Sequence, residues 1–332
     1  MVMNVPLFLP SFFVAFAVSV AGLFVLDWAC RHFESRRLVI CRFGGALTLL
    51  AFSIALVTDR NLVVSMPIAG LLTGAGLILF FGIGDDIVRF GWKVQIFFQS
   101  LLPVVLFAFG VRIFSAPLPW GGTIVFDAIP GGVGIGFLVL FAWTLLLVNA
   151  MNWADGIDGL LPSIVLVSSA VLFALSLFPD VNQPPLAIIS LALFGSALGL
   201  FLFNAPKARL LSGTSGSFFF GFALASLSVL SGTKIATALL VLAIPILDAW
   251  WVIVARSRAG TSPFCGDTVR HLHYRLREIG WSDRRIVFWY ATITAMIGFI
   301  ALSTRAWGKF VSLVLVSAAV ICTLFLLRRK TE

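Results

Sequence analysis

The sequence predicts an all-α fold: a polytopic membrane bundle of about eleven transmembrane helices. Three observations carry this expectation. Of 332 residues, 60% are hydrophobic and 11% charged, with a mean hydropathy of +1.08. Soluble domains are roughly 45–50% apolar and about 25% charged, so a water-soluble globule of this length could not hide 33 Phe and 10 Trp. Apolar runs of about 20 residues, the length that crosses the hydrocarbon layer, recur along the whole chain. Lys and Arg then gather in alternate loops. Soluble enzyme, disordered chain, collagen and disulfide scaffold are excluded together. Long continuous apolar runs also differ from the alternating strands of a barrel.

In chain order the expected spans are 7–26, 39–57, 65–84, 94–114, 132–150, 159–178, 186–204, 217–231, 236–255, 287–303 and 309–327. The first lacks a basic region before it and a small-residue cleavage site after it, so it reads as a retained span and not a signal peptide. The eighth is short, which marks it as the span to be tilted or partly outside the bilayer. Pro245 is placed to kink the ninth. Gly131 to Gly136, reading GGVGIG before the fifth span, suits close helix packing. With this ladder, 18 basic residues fall on one side and 5 on the other. The positive-inside rule then puts the first set in the cytoplasm, the N-terminus outside and the C-terminus inside. A single membrane domain over 1–332 is expected. The excess of 23 Lys and Arg over 14 Asp and Glu follows from the same rule, and no basic stripe with interleaved aromatics points to nucleic acid. Cys30, Cys41, Cys265 and Cys322 form no CxxC pair and read as reduced thiols.

The acids are concentrated at the cytoplasmic ends of these spans. Asp85-Asp86 follow the third. Such a pair suits either a solvated helix end or a divalent cation with phosphate, and Arg89 and Lys93 lie within helical reach of it. After the fifth span comes NAMNWADGIDGL, in which Asn149, Asn152, Asp155 and Asp158 recur every three residues. Four polar groups on one helix face beside a bilayer are costly as mere structure, and Gly156 and Gly159 allow close approach to a ligand. SGTSGS, Ser212 to Ser217, precedes the eighth span and could either cradle an anion or cap a helix. In the long basic loop from Arg256 to Arg285, Val269, Leu272, Leu276 and Ile279 make an apolar stripe expected of an interfacial helix. Arg270, His271 and His273 lie on its other faces and suit a phosphorylated ligand better than zinc.

Four blocks, GDDIVRFGWKVQ, NAMNWADGIDGL, FNAPKARLLSGTSGS and RSRAGTSPFCGDTVRHLHYRL, occur in the order seen in the polyprenyl-phosphate N-acetylhexosamine-1-phosphate transferases. The sequence resembles that family, and its simple N-acetylhexosamine branch more than the muramoyl-pentapeptide one. The resemblance implies transfer of a sugar-1-phosphate from a UDP-sugar to polyprenyl phosphate with release of UMP. The setting implied is the cytoplasmic face of a bacterial inner membrane, at the first membrane step of envelope polysaccharide or O-antigen synthesis. It implies Mg²⁺, with Mn²⁺ as substitute, and is compatible with a homodimer. Carried over by position, Asp85, Asp86 and Asp155 are catalytic. Lys93, Asp158, Arg270, His271 and His273 bind substrate, and Asn152 is a metal ligand. The family usually has Asp where this chain has Thr214, and often His where it has Tyr274. A Thr hydroxyl can ligate Mg²⁺, so Thr214 is expected to serve as the second metal ligand; the alternative is an impaired relative. A second alternative, a transporter of a lipid-linked sugar, would use an acid within a broken span, for which Asp248 is the candidate.

Overall fold

The computed structural model describes residues 5–33, 37–118, 120–232, 235–262 and 271–331. A 3₁₀ turn, Val5–Phe8, leads into α1 (Leu9–His32). Then follow α2 (Arg37–Ile40), a 3₁₀ turn at Cys41–Phe43, α3 (Gly44–Thr58), α4 (Met66–Val88) and α5 (Trp92–Ala108). A two-stranded antiparallel hairpin, Ser115–Pro117 with Thr123–Val125, and a 3₁₀ turn, Phe126–Ala128, precede α6 (Gly132–Ala154). The rest is α7 (Leu160–Ser176), α8 (Pro184–Asn204), α9 (Gly213–Leu230), α10 (Ile235–Val241), α11 (Ala243–Arg258), α12 (Leu272–Glu278), α13 (Asp283–Ser303) and α14 (Ala306–Thr331).

The protein is an all-α, polytopic membrane protein. Each of the eleven expected spans coincides with helix. Among the described residues, eight helices are long and apolar enough to cross a membrane, and α10 with α11 makes a ninth as one bent span. The segments α5 and α7 are apolar but shorter. The bend between α10 and α11 is 73°. Pro245 has no N–H to give the carbonyl four residues back, so the helix breaks at Leu242 and restarts.

The short eighth segment is α9, and protein encloses it most fully: 83% of its apolar window is buried, more than in any other span. It runs through the middle of the bundle, packed on α3, α4 and α6. Association within lipid depends on close van der Waals packing, which favours small residues at crossings. A Cβ at Gly45 of α3 would overlap the backbone of Ser212 and Gly216 at the start of α9, and the Gly45 N–H donates to the Ser212 carbonyl at 3.0 Å. Gly45→Ala is therefore expected to force α3 off α9 and destabilise the protein by about 1–3 kcal/mol. Thermal unfolding in detergent checks this, and an unchanged midpoint would show that the crossing yields.

The amphipathic stripe of the basic loop differs from expectation. Among the described residues it is reduced to α12, and Leu272, Leu276, His273 and Arg275 are all buried. This short helix packs on α13 and α14, so Leu272 and Leu276 meet protein, while Ile279 is exposed. Val269 lies outside the described residues.

Candidate active site at one end of the bundle

Chain direction and mutual contacts bring the C-terminal ends of α4 and α6, the N-terminal end of α9, the 205–212 segment and α12 to one end of the bundle. Between the end of α6, the start of α9 and the 204–212 segment lies a cavity of about 310 Å³, lined by Arg42, Asn152, Asp155, Gly156, Ile157, Asp158, Asn204, Leu211, Ser212, Gly213, Thr214 and Ser217. Most of these side chains are polar, and Arg42 is the one cation among them.

Asp85 and Asp86 lie within α4, one turn before it ends, and both are buried. Helix α4 continues through them, so they do not stand clear of the span. Asp86 Oδ1 accepts from the Thr214 N–H at 2.7 Å. Its Oδ2 accepts from Ser215 Oγ at 2.7 Å and from the Ser215 N–H at 3.3 Å. The first turn of a helix leaves backbone N–H groups unpaired, and Asp86 fills that role for α9. The anion received by SGTSGS is thus a carboxylate of the same chain. Gly213, at φ +64°, turns the chain into this cap, and a Cβ there would lie 2.7 Å from both Asp86 oxygens. Asp85 accepts from the Phe90 N–H at 2.9 Å, from Gln95 Nε2 at 3.1 Å and from the Thr214 hydroxyl at 2.5 Å.

The NAMNWADGIDGL block divides. Asn149 faces away from the cavity, donating to Gln99 Oε1 at 2.6 Å. Asn152, Asp155 and Asp158 line the cavity. Ser217 Oγ donates to Asn152 Oδ1 at 2.8 Å, which orients the amide. Asp158 Oδ2 accepts from the Ala208 N–H at 3.0 Å and so anchors the 205–212 segment. Asn204 anchors it from the other side: its Oδ1 accepts from the Gly159 N–H and its Nδ2 donates to the Leu210 carbonyl. Asp155 is only half-buried, because it opens onto the cavity, yet protein surrounds it on the other sides. Burial pushes its carboxyl up to about 8, and the Asp86 and Asp158 carboxylates push the same way. Ser212 offsets this only in part, since its Oγ makes no well-formed hydrogen bond among the described residues.

His271 and His273 form a second layer behind the cavity wall. Their rings stack at 5.5 Å, with 11° between planes. A Cβ on Gly156 would lie 2.5 Å from both His273 Nε2 and Tyr274 Oη, so the absence of a side chain there lets α12 close on the cavity rim. The Tyr274 hydroxyl donates to the Gly156 carbonyl at 3.1 Å. Lys93 is not at the cavity: it is exposed, with Nζ 5.7 Å from the Trp92 ring. Arg270 lies outside the described residues. Sequence reasoning missed Arg42, Gln95, Asn204 and Ser217. Of these, Gln95, Asn204 and Ser217 fall in blocks already singled out, and Arg42 does not.

Burial pushes His273 down to about 4 from 6.5, and nearby Asp248 only partly counters it. Between these values the unfolded chain binds a proton that the folded one does not. The stability this group provides is present above pH 6.5 and is lost as pH falls towards 4, by about 3 kcal/mol in all. Thermal unfolding from pH 7.5 to 4.5 is expected to show a steeper acid loss in wild type than in His273→Phe. Parallel curves would contradict the assignment.

Fold and site together define a multi-pass membrane enzyme with an oxygen-rich pocket at one end of its helices. The profile of glycosyl transferase family 4 matches residues 68–232. The chain is 32% identical over 321 residues to a decaprenyl-phosphate N-acetylglucosaminephosphotransferase of Mycolicibacterium smegmatis, covering 87% of this chain and 77% of that one. It is 30% identical to the undecaprenyl-phosphate alpha-N-acetylglucosaminyl 1-phosphate transferase of Escherichia coli, over 75% and 70% of the two chains. To a probable undecaprenyl-phosphate N-acetylglucosaminyl 1-phosphate transferase of Bacillus subtilis it is 26% identical, over 79% and 71%. The chain belongs to glycosyl transferase family 4 and is a transferase.

Proposed function

We propose that this protein transfers an N-acetylhexosamine-1-phosphate from a UDP-sugar to a polyprenyl phosphate such as undecaprenyl phosphate. A lipid phosphate oxygen attacks the β-phosphorus, the bond from that phosphorus to the bridging oxygen breaks, and UMP leaves with that oxygen. The product is a polyprenyl-diphospho-sugar. The observation that carries this reading is the convergence of Asn152, Asp155, Asp158 and Thr214 with Arg42 on one cavity, in a chain similar over most of its length to enzymes of that name.

Little proton chemistry is needed from the protein, because the second pKa of a phosphate monoester is near ~6. Its work is to position and to balance charge. Asp85 and Asp86 have their oxygens engaged by α9 and by Gln95, which supports direct attack by the lipid phosphate over an aspartyl-phosphate intermediate. Arg42 supplies positive charge to the diphosphate, and His271 and His273 back the sugar side.

The donor set fits a small hard cation. It is made of oxygens alone, as Mg²⁺ prefers, and the mutual repulsion of Asp86, Asp155 and Asp158 is charge that a cation would relieve. Among the described residues no three acidic, His or Cys groups form a ready-made cluster, so the substrate and water would complete the shell. Asn152 and Thr214 would hold the ion, with Asp155 beside it. The Thr214 hydroxyl gives its proton to Asp85, leaving lone pairs for a metal. When bound, Mg²⁺ would neutralise charge developing on the diphosphate. The basic bias of the loops on this side supports a cytoplasmic site in a bacterial inner membrane, at the entry step of envelope polysaccharide synthesis.

The test is release of radiolabelled UMP from UDP-N-acetylglucosamine by purified protein with polyprenyl phosphate, across a magnesium titration and beside Thr214→Asp. Stoichiometric UMP and lipid-linked sugar are expected from wild type. Wild type inert at every magnesium level beside an active Thr214→Asp would mark an impaired relative. Lipid movement without UMP would mark a transporter.

A further inference from the structure

Asp248 is a buried acid inside α11, six residues past the break at Leu242, and no cavity wall described above uses it. Both its oxygens are engaged. Oδ2 lies 2.9 Å from His271 Nδ1, and Oδ1 accepts from the Leu272 N–H at 2.7 Å. One carboxylate therefore meets the last residue before α12 and the first residue within it. His271 is itself buried, 4% exposed, so its ring cannot exchange this partner for water. It packs on Trp153, at 5.7 Å between ring centroids, and stacks on His273. Trp153 lies two residues before Asp155 on the same helix end, and His273 abuts Gly156. The Asp248–His271 pair is thus joined to the cavity wall on both sides of the imidazole.

A carboxylate can only accept from a ring nitrogen, so this contact requires a proton on Nδ1. That choice leaves Nε2 as the nitrogen available to another group. An orienting acid of this kind fixes both tautomer and ring direction. We propose that Asp248 is a positioning residue for sugar-phosphate transfer. It holds His271 in the Nδ1–H form and sets the register of α12 against the end of α6, and it acts on the reaction through His271. This rests on the reading that His271 serves the diphosphate-sugar substrate.

Asp248→Asn separates positioning from packing, because it preserves volume. If its single carbonyl oxygen keeps the Leu272 N–H, its amide N–H faces Nδ1 and drives the ring to the Nε2–H form. The protein has three histidines, so ¹⁵N-histidine spectra of the full-length protein in detergent at pH 8 contain three rings, assigned by single substitutions. Wild type is expected to show His271 protonated on Nδ1, and Asp248→Asn to show the proton on Nε2. Turnover is expected to fall about 10- to 100-fold in Asp248→Asn, and less than about twofold when the same change is made in a His271→Gln background. An Nε2–H His271 in wild type, or losses that multiply in the double variant, would overturn the proposal. If the amide variant does not fold, Asp248→Glu keeps both acceptor oxygens. It is expected to retain the Nδ1 proton, and its loss there counts against the proposal. A wild type that releases no UMP would refute the transfer reading, while the tautomer comparison would still decide the role of Asp248.

Discussion

Asp155→Asn is expected to lower transfer about 10²- to 10³-fold without lowering the thermal stability of the protein. The loss follows from its place. Asp155 lines the cavity between Asn152 and Asp158, and the carboxylates of Asp86 and Asp158 act on it directly. Removing one preorganised polar group from such a site costs a factor of that size. The stability half follows from the sign of its shift. Its carboxyl is raised to about 8 from 3.8, so between those values the folded chain holds a proton that the unfolded chain has released. Stability contributed by this group therefore falls as pH rises through that window. An amide, which cannot ionise, removes this penalty. At pH 7.5 the variant should unfold at the wild-type temperature or slightly above it. Wild-type turnover, or a clear drop in midpoint, would contradict the role given to Asp155.

Asp86→Ala is expected to behave in the opposite way, losing both turnover and stability. Asp86 is 1% exposed and accepts hydrogen bonds from Thr214 and Ser215. Deleting its carboxylate strands those donors at the buried start of α9. Each unsatisfied buried group costs about 1–3 kcal/mol, so a loss of roughly 2–4 kcal/mol is expected in a span that forms the middle of the bundle. Thermal unfolding and UMP release measured on the same preparation check this. An inactive variant as stable as wild type would move Asp86 from scaffold to reacting group. The two acids resemble one another in sequence, each in a short acidic motif near the end of a span. The expected pair of outcomes tells them apart.

The spans were legible because hydropathy and length report directly on lipid contact. The same measure is weakest for α9, whose apolar window has a mean hydropathy of 1.4, the lowest of the eight full-length spans. A helix enclosed by protein need not be apolar all round, and its Ser226 and Ser228 hydroxyls bond to the carbonyls of Phe222 and Ala225. Within the site, the three-residue spacing from Asn149 to Asp158 located three cavity residues. It also gathered in Asn149, because periodicity along one helix cannot say where the cavity ends and the neighbouring helix begins. Arg42 carried no readable signal, and the roles of Gln95 and Asp248 could not be read from their blocks: each gains its role from a partner, for Gln95 10, for Arg42 44 and for Asp248 23 residues away.

By itself the sequence determined the medium, the helical class, the end of the bundle that gathers the acids and the family to which the chain belongs. These depend on composition, local periodicity and short motifs. Only the tertiary structure decided what each acid does: Asp86 caps α9, Asp158 anchors a loop, Asp248 bonds His271 and Asp155 opens onto the cavity. A carboxylate's role is set by how many donors surround it and how much water reaches it, and both are fixed by residues distant in the chain.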